Sequence, residues 1–164
     1  MNPATGTLLG IARRSRSRGT MEELSSVAVT AAAGVQGDFR GAVRQGPDGA
    51  RKQPRRQVSL IEAESWRAAL RDLDIPDDAF LPWHARRANL CVSGLRLPRA
   101  AGAVIAIGPT CRIEITMECD PCSRMDEIKP GLMAALTPDW RGGVLGRVLD
   151  DGEIAVGDEV RIEQ

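Results

Sequence analysis

Two cysteines with two residues between them, Cys119 and Cys122, are the side chains of this 164-residue chain best suited to covalent chemistry. Periodicity separates them. Cys111, Ile113, Ile115, Met117 and Cys119 alternate with Arg112, Glu114, Thr116 and Glu118. That is the pattern of a strand buried on one face, and it makes Cys119 a core residue. Asp120 and Pro121 then break the strand, and Asp at an N-cap followed by Pro at the first helical position marks a helix start. A short helix is expected from Cys122 to Lys129, stopped by Pro130, with the Cys122 thiol in its first turn. The free N–H groups of such a start favour a thiolate, which makes Cys122 the candidate nucleophile or soft-metal ligand. The plain alternative is a buried, inert thiol. Thioredoxin-like use of the pair needs both sulfurs at one helix start in a βαβ unit, which this pattern does not provide. Zinc is not expected, because a tetrahedral site wants a second ligand pair and the other cysteines, Cys91 and Cys111, are too far apart.

A second group of residues could hold an anion. Arg56 precedes a strand, Ser59 stands at an expected helix cap, Arg87 and Asn89 open the next strand, and Arg141 precedes Gly142-Gly143. Arg and Asn donors near helix starts suit a phosphate or a pterin, as does a glycine pair that lets a ligand approach the backbone. Singly, each also reads as a turn residue or a surface ion pair. His84 has no cysteine or acid at catalytic spacing and reads as a surface or packing residue.

The elements that must position these side chains are short. Period-2 segments fall at 8–12, 24–29, 57–60, 88–92, 104–107, 111–119, 144–149, 153–156 and 160–162, separated by Gly, Pro or Asp turns. One longer helix stands among them: Ser59 and Glu62 read as a capping box ahead of Ala63, Trp66, Leu70 and Leu73, and Pro76 ends the run. Residues 105–114 resemble 154–163, each reading as a hairpin around a glycine turn. The expected fold is mostly β (α+β): a closed or partly open antiparallel β-barrel with a few short helices packed on it. It forms a single domain over 1–164 with its core at about 7–163. Residues 40–56 carry Arg40, Arg44, Arg51, Lys52, Arg55 and Arg56 against Asp48 alone. They read as a basic flexible loop, with a lid over an anionic ligand as the alternative. The basic run from Arg13 to Arg18 reads as a second solvated loop.

Composition bounds the partners. The chain is 43% hydrophobic, with 22 basic residues balancing 22 acidic ones. It can bury a full core, and it has no net field to attract nucleic acid, so any anion site must be local. Of the basic residues 20 are Arg, which fits anionic ligands as well as a compositional bias. No apolar run approaches a membrane span or a secretory leader, so a cytoplasmic location is expected, where thiols stay reduced.

Taken in order, Gly34-Val-Gln-Gly-Asp38, Arg56-Gln-Val-Ser-Leu-Ile-Glu-Ala-Glu64, Arg87-Ala-Asn-Leu90 with Gly94-Leu95, Pro121-Cys122, Arg141-Gly-Gly143 and Gly152-Glu-Ile-Ala-Val-Gly-Asp158 resemble the MOSC domain, named for the C-terminal part of molybdenum cofactor sulfurases. The resemblance runs from about residue 7 to the C-terminus. It implies a β-barrel-like fold that binds the molybdenum cofactor (molybdopterin type). It further implies that Cys122 either carries sulfur as a persulfide or ligates molybdenum, that Arg87 and Asn89 lie near the cofactor phosphate, and that Ser59 lies in the same neighbourhood. With Arg56 and Arg141 these form the expected cofactor-binding set. Many relatives follow Gly-Asp with Arg-His, where this chain has Phe39-Arg40. Two roles follow from the resemblance, one enzymatic and one of sulfur carriage. One is a molybdenum reductase of N-hydroxylated compounds, fed by a separate electron-donor reductase. The other is a sulfur carrier charged by a cysteine desulfurase, a pyridoxal phosphate enzyme, and serving a molybdoenzyme client. The alternative is a non-catalytic thiol-bearing β-barrel module that binds a phosphorylated ligand or a protein partner.

Overall fold

A computed structural model of the chain describes residues 5–163; Met1 to Ala4, Gln164 and the side chain of Arg44 lie outside the described residues. The strands are β1 (Thr5–Arg13), β2 (Glu22–Leu24), β3 (Ser26–Thr30), β4 (Gly34–Val35), β5 (Arg44–Gln45), β6 (Arg51–Lys52), β7 (Val58–Glu62), β8 (Leu90–Ser93), β9 (Val104–Ile107), β10 (Cys111–Glu118), β11 (Val144–Asp150), β12 (Gly152–Ala155) and β13 (Glu159–Ile162). Three helices accompany them: α1 (Ala63–Asp72), α2 (Ser123–Ile128) and α3 (Leu132–Leu136).

Seven strands close on themselves in the order β1-β13-β9-β10-β11-β7-β8 and back to β1, so the sheet becomes a barrel with β2 added at the rim of β1. Closure removes the unpaired edges that an open sheet of these strands would present. A smaller sheet, β12-β3-β4, stands beside it. The period-2 pattern decides what faces in. Val58 and Leu60 of β7, with Leu90 and Val92 of β8, join Ile105, Ile107, Ile113 and Ile115 in the barrel core. Ile61 and Cys91 point the other way and pack under α1 and α3 with Trp66, Leu70, Leu132 and Leu136. These two strands are buried on both faces, so apolar residues follow one another without alternation, Leu60-Ile61 in β7 and Leu90-Cys91-Val92 in β8.

The exception to antiparallel pairing is β7 with β8, which run parallel, with Leu60 beside Leu90. A parallel pair needs a crossover, and α1 supplies it. The helix starts where expected but is not capped as expected. Ser59 lies within β7, and Glu62 is the N-cap with no side-chain cap bond. The Glu62 carboxylate is instead a buried hub that accepts from Ser65 Oγ at 2.8 Å, the Leu97 amide at 2.7 Å and Arg99 Nη1 at 2.6 Å.

Other expectations are corrected in detail. The 24–29 strand is two strands, parted at Ser25. Within the expected loop 40–56, β5 and β6 form a short hairpin. The similarity between 105–114 and 154–163 does not reflect two hairpins. β9 pairs with β10, but β12 and β13 part to different sheets, β12 to β3 and β13 to β9 and β1. What the segments share is a glycine at positive φ, Gly108 at 64° and Gly157 at 100°, so turn chemistry accounts for the likeness. Among the described residues no helix is long and apolar enough to cross a membrane.

Candidate functional site

A cavity of about 340 Å³ opens where the end of β1, the start of β7, the approach to β8 and the segment joining β10 to α2 converge. Its lining includes Cys122, Arg87, Asn89, Ser59 and Arg56, so five of the six candidate residues meet at one place. Arg141 does not. Its guanidinium pairs with Asp72 and donates to the Ala135 carbonyl at 3.0 Å, and it is absent from the lining. The glycines after it serve the chain's own packing. A Cβ on Gly142 would stand 2.5 Å from the Cys119 carbonyl oxygen, and one on Gly143 would stand 2.1 Å from that of Leu60. The pair lets backbones approach each other, not a ligand.

Each wall is set by a local bond pattern. Asn89 Oδ1 accepts from the Ser59 amide at 3.1 Å and from Ser59 Oγ at 3.2 Å, while the Asn89 amide donates back to Ser59 Oγ at 3.0 Å. Asn89 Nδ2 donates to the Ala12 carbonyl at 3.1 Å. These two residues therefore knit β7, β8 and β1 together beneath the cavity. Arg87 caps the 3-10 turn Trp83–Arg86 in the left-handed conformation, φ 70°, and its side chain reaches the Gly19 carbonyl. His84, in the same turn, stands edge-on to Trp83 with its Nε2 3.8 Å from a Glu23 carboxylate oxygen.

The expected helix start is shifted. α2 begins at Ser123 and has six residues, and Cys122 is its N-cap in extended conformation. The thiol is exposed at the cavity, whereas Cys91, Cys111 and Cys119 are buried. Cys119 is not in the barrel core either. The β10–β11 register shifts between Ile115 and Met117, which leaves Met117 exposed and carries Cys119 to the cavity wall.

Three features of the site escaped the sequence. The first is Arg86, only 7% exposed. Its Nε donates to the Gly142 carbonyl at 3.0 Å, and its Nη2 donates to the Cys119 carbonyl at 2.8 Å and to Cys119 Sγ at 3.2 Å. Arg86 thereby holds the segment leading to Cys122. The second is Arg14, read as part of a solvated loop but only 8% exposed. Asp38 seats it, accepting the Arg14 amide at 3.0 Å with Oδ1 and the Arg40 amide at 3.3 Å with Oδ2. The departure at Phe39 has a role here, because its ring lies 4.8 Å from the Arg14 guanidinium and 5.1 Å from that of Arg40. The third is Arg124, on the first turn of α2. Strand periodicity reports which way a residue points but not whether an arginine beyond the strand end will be covered.

Electrostatics give the cavity its character. Arg14 Nη1 and Arg87 Nε are buried without a hydrogen-bond partner. Burial first, then repulsion from Arg87 and Arg40, lowers the Arg14 guanidinium to about 10, still a cation at neutral pH. Arg87 is lowered by burial and then by Arg124. Buried donors are normally paired, and two unpartnered guanidinium N–H groups in one cavity are donors of the kind that suit an anion.

The buried thiols give a direct check. Burial pushes Cys91 and Cys111 up to about 12, so neither ionises near neutral pH. Brief alkylation of the folded protein should modify one thiol rapidly, mapped by mass spectrometry to Cys122, with Cys91 and Cys111 reacting only after unfolding. Rapid labelling of either buried thiol would contradict the packing. The sign of the linked stability follows. Between pH 9 and about 12 the unfolded chain loses the two thiol protons that the folded chain keeps, so this contribution to stability falls as pH rises across that window.

Comparison with known proteins gives the class. A family model described as the MOSC domain matches residues 42–161, and the chain belongs to that family, which is associated with molybdenum cofactor binding. No curated protein matches. Among solved structures, the chain is similar to the YuaD protein of Bacillus subtilis at 20% identity and TM-score 0.76, covering 98% of this chain and 97% of that one. It is also similar to YiiM of Escherichia coli, at 13% identity and TM-score 0.65, covering 96% and 70% of the two chains. For YiiM of Geobacillus stearothermophilus the values are 16%, 0.61, 99% and 75%. At these identities the likeness concerns the fold. Arg14, Asp38 and Arg40 lie outside the matched segment, so that side of the cavity is established by the structure alone.

Proposed function

We propose that the cavity binds the molybdenum cofactor, and that Cys122 is the sulfur it presents to the metal. One observation carries the reading: orphan buried donors on Arg14 and Arg87 share a single cavity with the one exposed thiol. The donor set fits the group, since guanidinium forks suit a phosphate and a thiolate suits a soft or intermediate metal. Arg14 and Arg87 would hold the phosphate, Ser59 and Asn89 would shape the floor, and Arg56 would stand at the mouth. When bound, the cofactor supplies a centre for two-electron, oxygen-atom chemistry, here the reduction of N-hydroxylated compounds with electrons from a separate reductase. The exposure of Cys122 favours a second reading, because a solvent-facing thiol is also accessible to a cysteine desulfurase that would load it with sulfane sulfur for a molybdoenzyme client. Cytoplasmic residence belongs to the same proposal.

The test compares wild type with Cys122→Ala after co-expression with cofactor biosynthesis, measuring molybdenum, pterin and persulfide. Stoichiometric molybdenum that disappears in the variant is the expected result. Pterin retained in both proteins, with a persulfide only in wild type, would transfer the assignment to sulfur carriage. Neither metal nor pterin in either protein would overturn the cofactor reading and leave a thiol-bearing module for a phosphorylated ligand. Cys122 is exposed, so the variant should unfold within about 0.5 kcal/mol of wild type.

A further inference from the structure

The cavity carries more positive charge than one phosphate can answer. Six arginines line it, Arg14, Arg40, Arg56, Arg86, Arg87 and Arg124, against Asp38 and Asp120. This surplus of four stands in a chain whose formal net charge is zero. The cations fall into tiers. Arg86 is occupied with the Gly142 and Cys119 carbonyls, and Arg14 and Arg87 form the inner pair, each with one buried N–H that has no partner. Arg124 is half-buried and Arg56 exposed, and neither makes a hydrogen bond or ion pair among the described residues. Arg124 is close enough to repel both inner guanidinia. A phosphomonoester brings about two negative charges at most, so an anion at the inner pair leaves the outer arginines unanswered.

We propose that the cavity takes two anionic groups, an inner one at Arg14 and Arg87 and an outer one at Arg124 with Arg56, so that the molecule admitted beside the cofactor carries a carboxylate or phosphate. The inference rests on the cofactor reading only for the identity of the inner anion. Cys122 lines the same cavity as Arg124 and Arg56, and Met125, Leu145 and Ala88 add apolar lining to it. A small substrate with one anionic end and an apolar body matches this lining, whereas a cationic one meets a net repulsion, six arginines against Asp38 and Asp120.

Calorimetric titration of the purified chain with inorganic phosphate and with pyrophosphate, at low ionic strength, tests the arrangement. Wild type should bind two phosphates per chain and hold pyrophosphate at least tenfold more tightly than phosphate. Arg124→Gln should leave one phosphate and remove the pyrophosphate advantage, while Arg87→Gln should remove the inner site. Unchanged melting temperatures show that both variants are folded. Displacement of the outer phosphate by benzoate marks carboxylate-bearing substrates, and failure of benzoate to compete marks phosphate-bearing ones. Phosphate binding that Arg124→Gln leaves unchanged, at one or two per chain, overturns the outer subsite and leaves the cofactor reading standing. No phosphate binding in wild type overturns both.

Discussion

Arg14→Met is expected to stabilise the ligand-free protein by about 1 kcal/mol and to weaken its hold on phosphate by roughly 10- to 100-fold. The two effects have one cause. Arg14 is 8% exposed, and its guanidinium has an unpartnered Nη1 and is repelled by Arg87, Arg40 and Arg124, with Asp38 as the opposing charge. A guanidinium whose pKa falls from 12.5 to about 10 is held charged in the fold at a cost of up to about 3 kcal/mol, which an apolar side chain of similar length does not incur, and Asp38 keeps its bonds to the backbone amides of residues 14 and 40. The lost contact with the Phe39 ring takes back about 0.5–1 kcal/mol. Binding suffers because a charge-assisted hydrogen bond from a buried donor contributes about 1.5–3 kcal/mol. Urea unfolding and phosphate titration on the same preparation decide it. A variant that is less stable than wild type and binds equally well would show that Arg14 is a structural residue.

Gly143→Ala is expected to destabilise the barrel by about 3 kcal/mol or more. Gly143 has φ of 98°, and an added Cβ would stand 2.1 Å from the Leu60 carbonyl oxygen, a backbone atom that cannot swing away. Relief requires β11 to move off β7 where Val144 pairs with Leu60, and it also pulls on the Cys119 amide, which donates to the Gly143 carbonyl at 2.9 Å. Gly157→Ala is the matched control. Its φ is 100° with nothing within 4 Å of the added Cβ, so only the conformational cost of about 1 kcal/mol applies. Equal losses in the two variants would mean that the close approach at Gly143 is relieved without strain.

Much of the barrel was legible because its strands alternate cleanly: Cys111, Ile113 and Ile115 point inward as their spacing requires. Closure and partner choice were less so, since β12 and β13 read as a hairpin and yet pair with strands more than forty residues distant in sequence. Ser59 reads as a helix cap from its spacing because Ser-x-x-Glu also fits the end of a strand that runs straight into a helix. Its real partner, Asn89, lies across a parallel pairing that no local pattern announces. The helix α3 was missed because Leu132–Leu136 is a single turn and a half behind Pro130 and Gly131, too short to show a period.

The site divides in the same way. Cys122, Arg87, Asn89, Ser59 and Arg56 could be collected because turn chemistry and family resemblance mark them. Arg14, Arg86 and Arg124 carry no such mark, for burial of an arginine is a product of tertiary packing. Arg141 is the converse case, a cation outside the cavity lining beside a glycine pair whose glycines serve backbone contact.

The most direct test of the central claim is the pterin content of protein purified from cells that make the molybdenum cofactor, comparing wild type with an Arg14→Met/Arg87→Gln double variant. The account predicts about one pterin per chain in wild type and none in the double variant, at a melting temperature no lower than that of wild type. Pterin absent from wild type, or retained undiminished by the double variant, would contradict it.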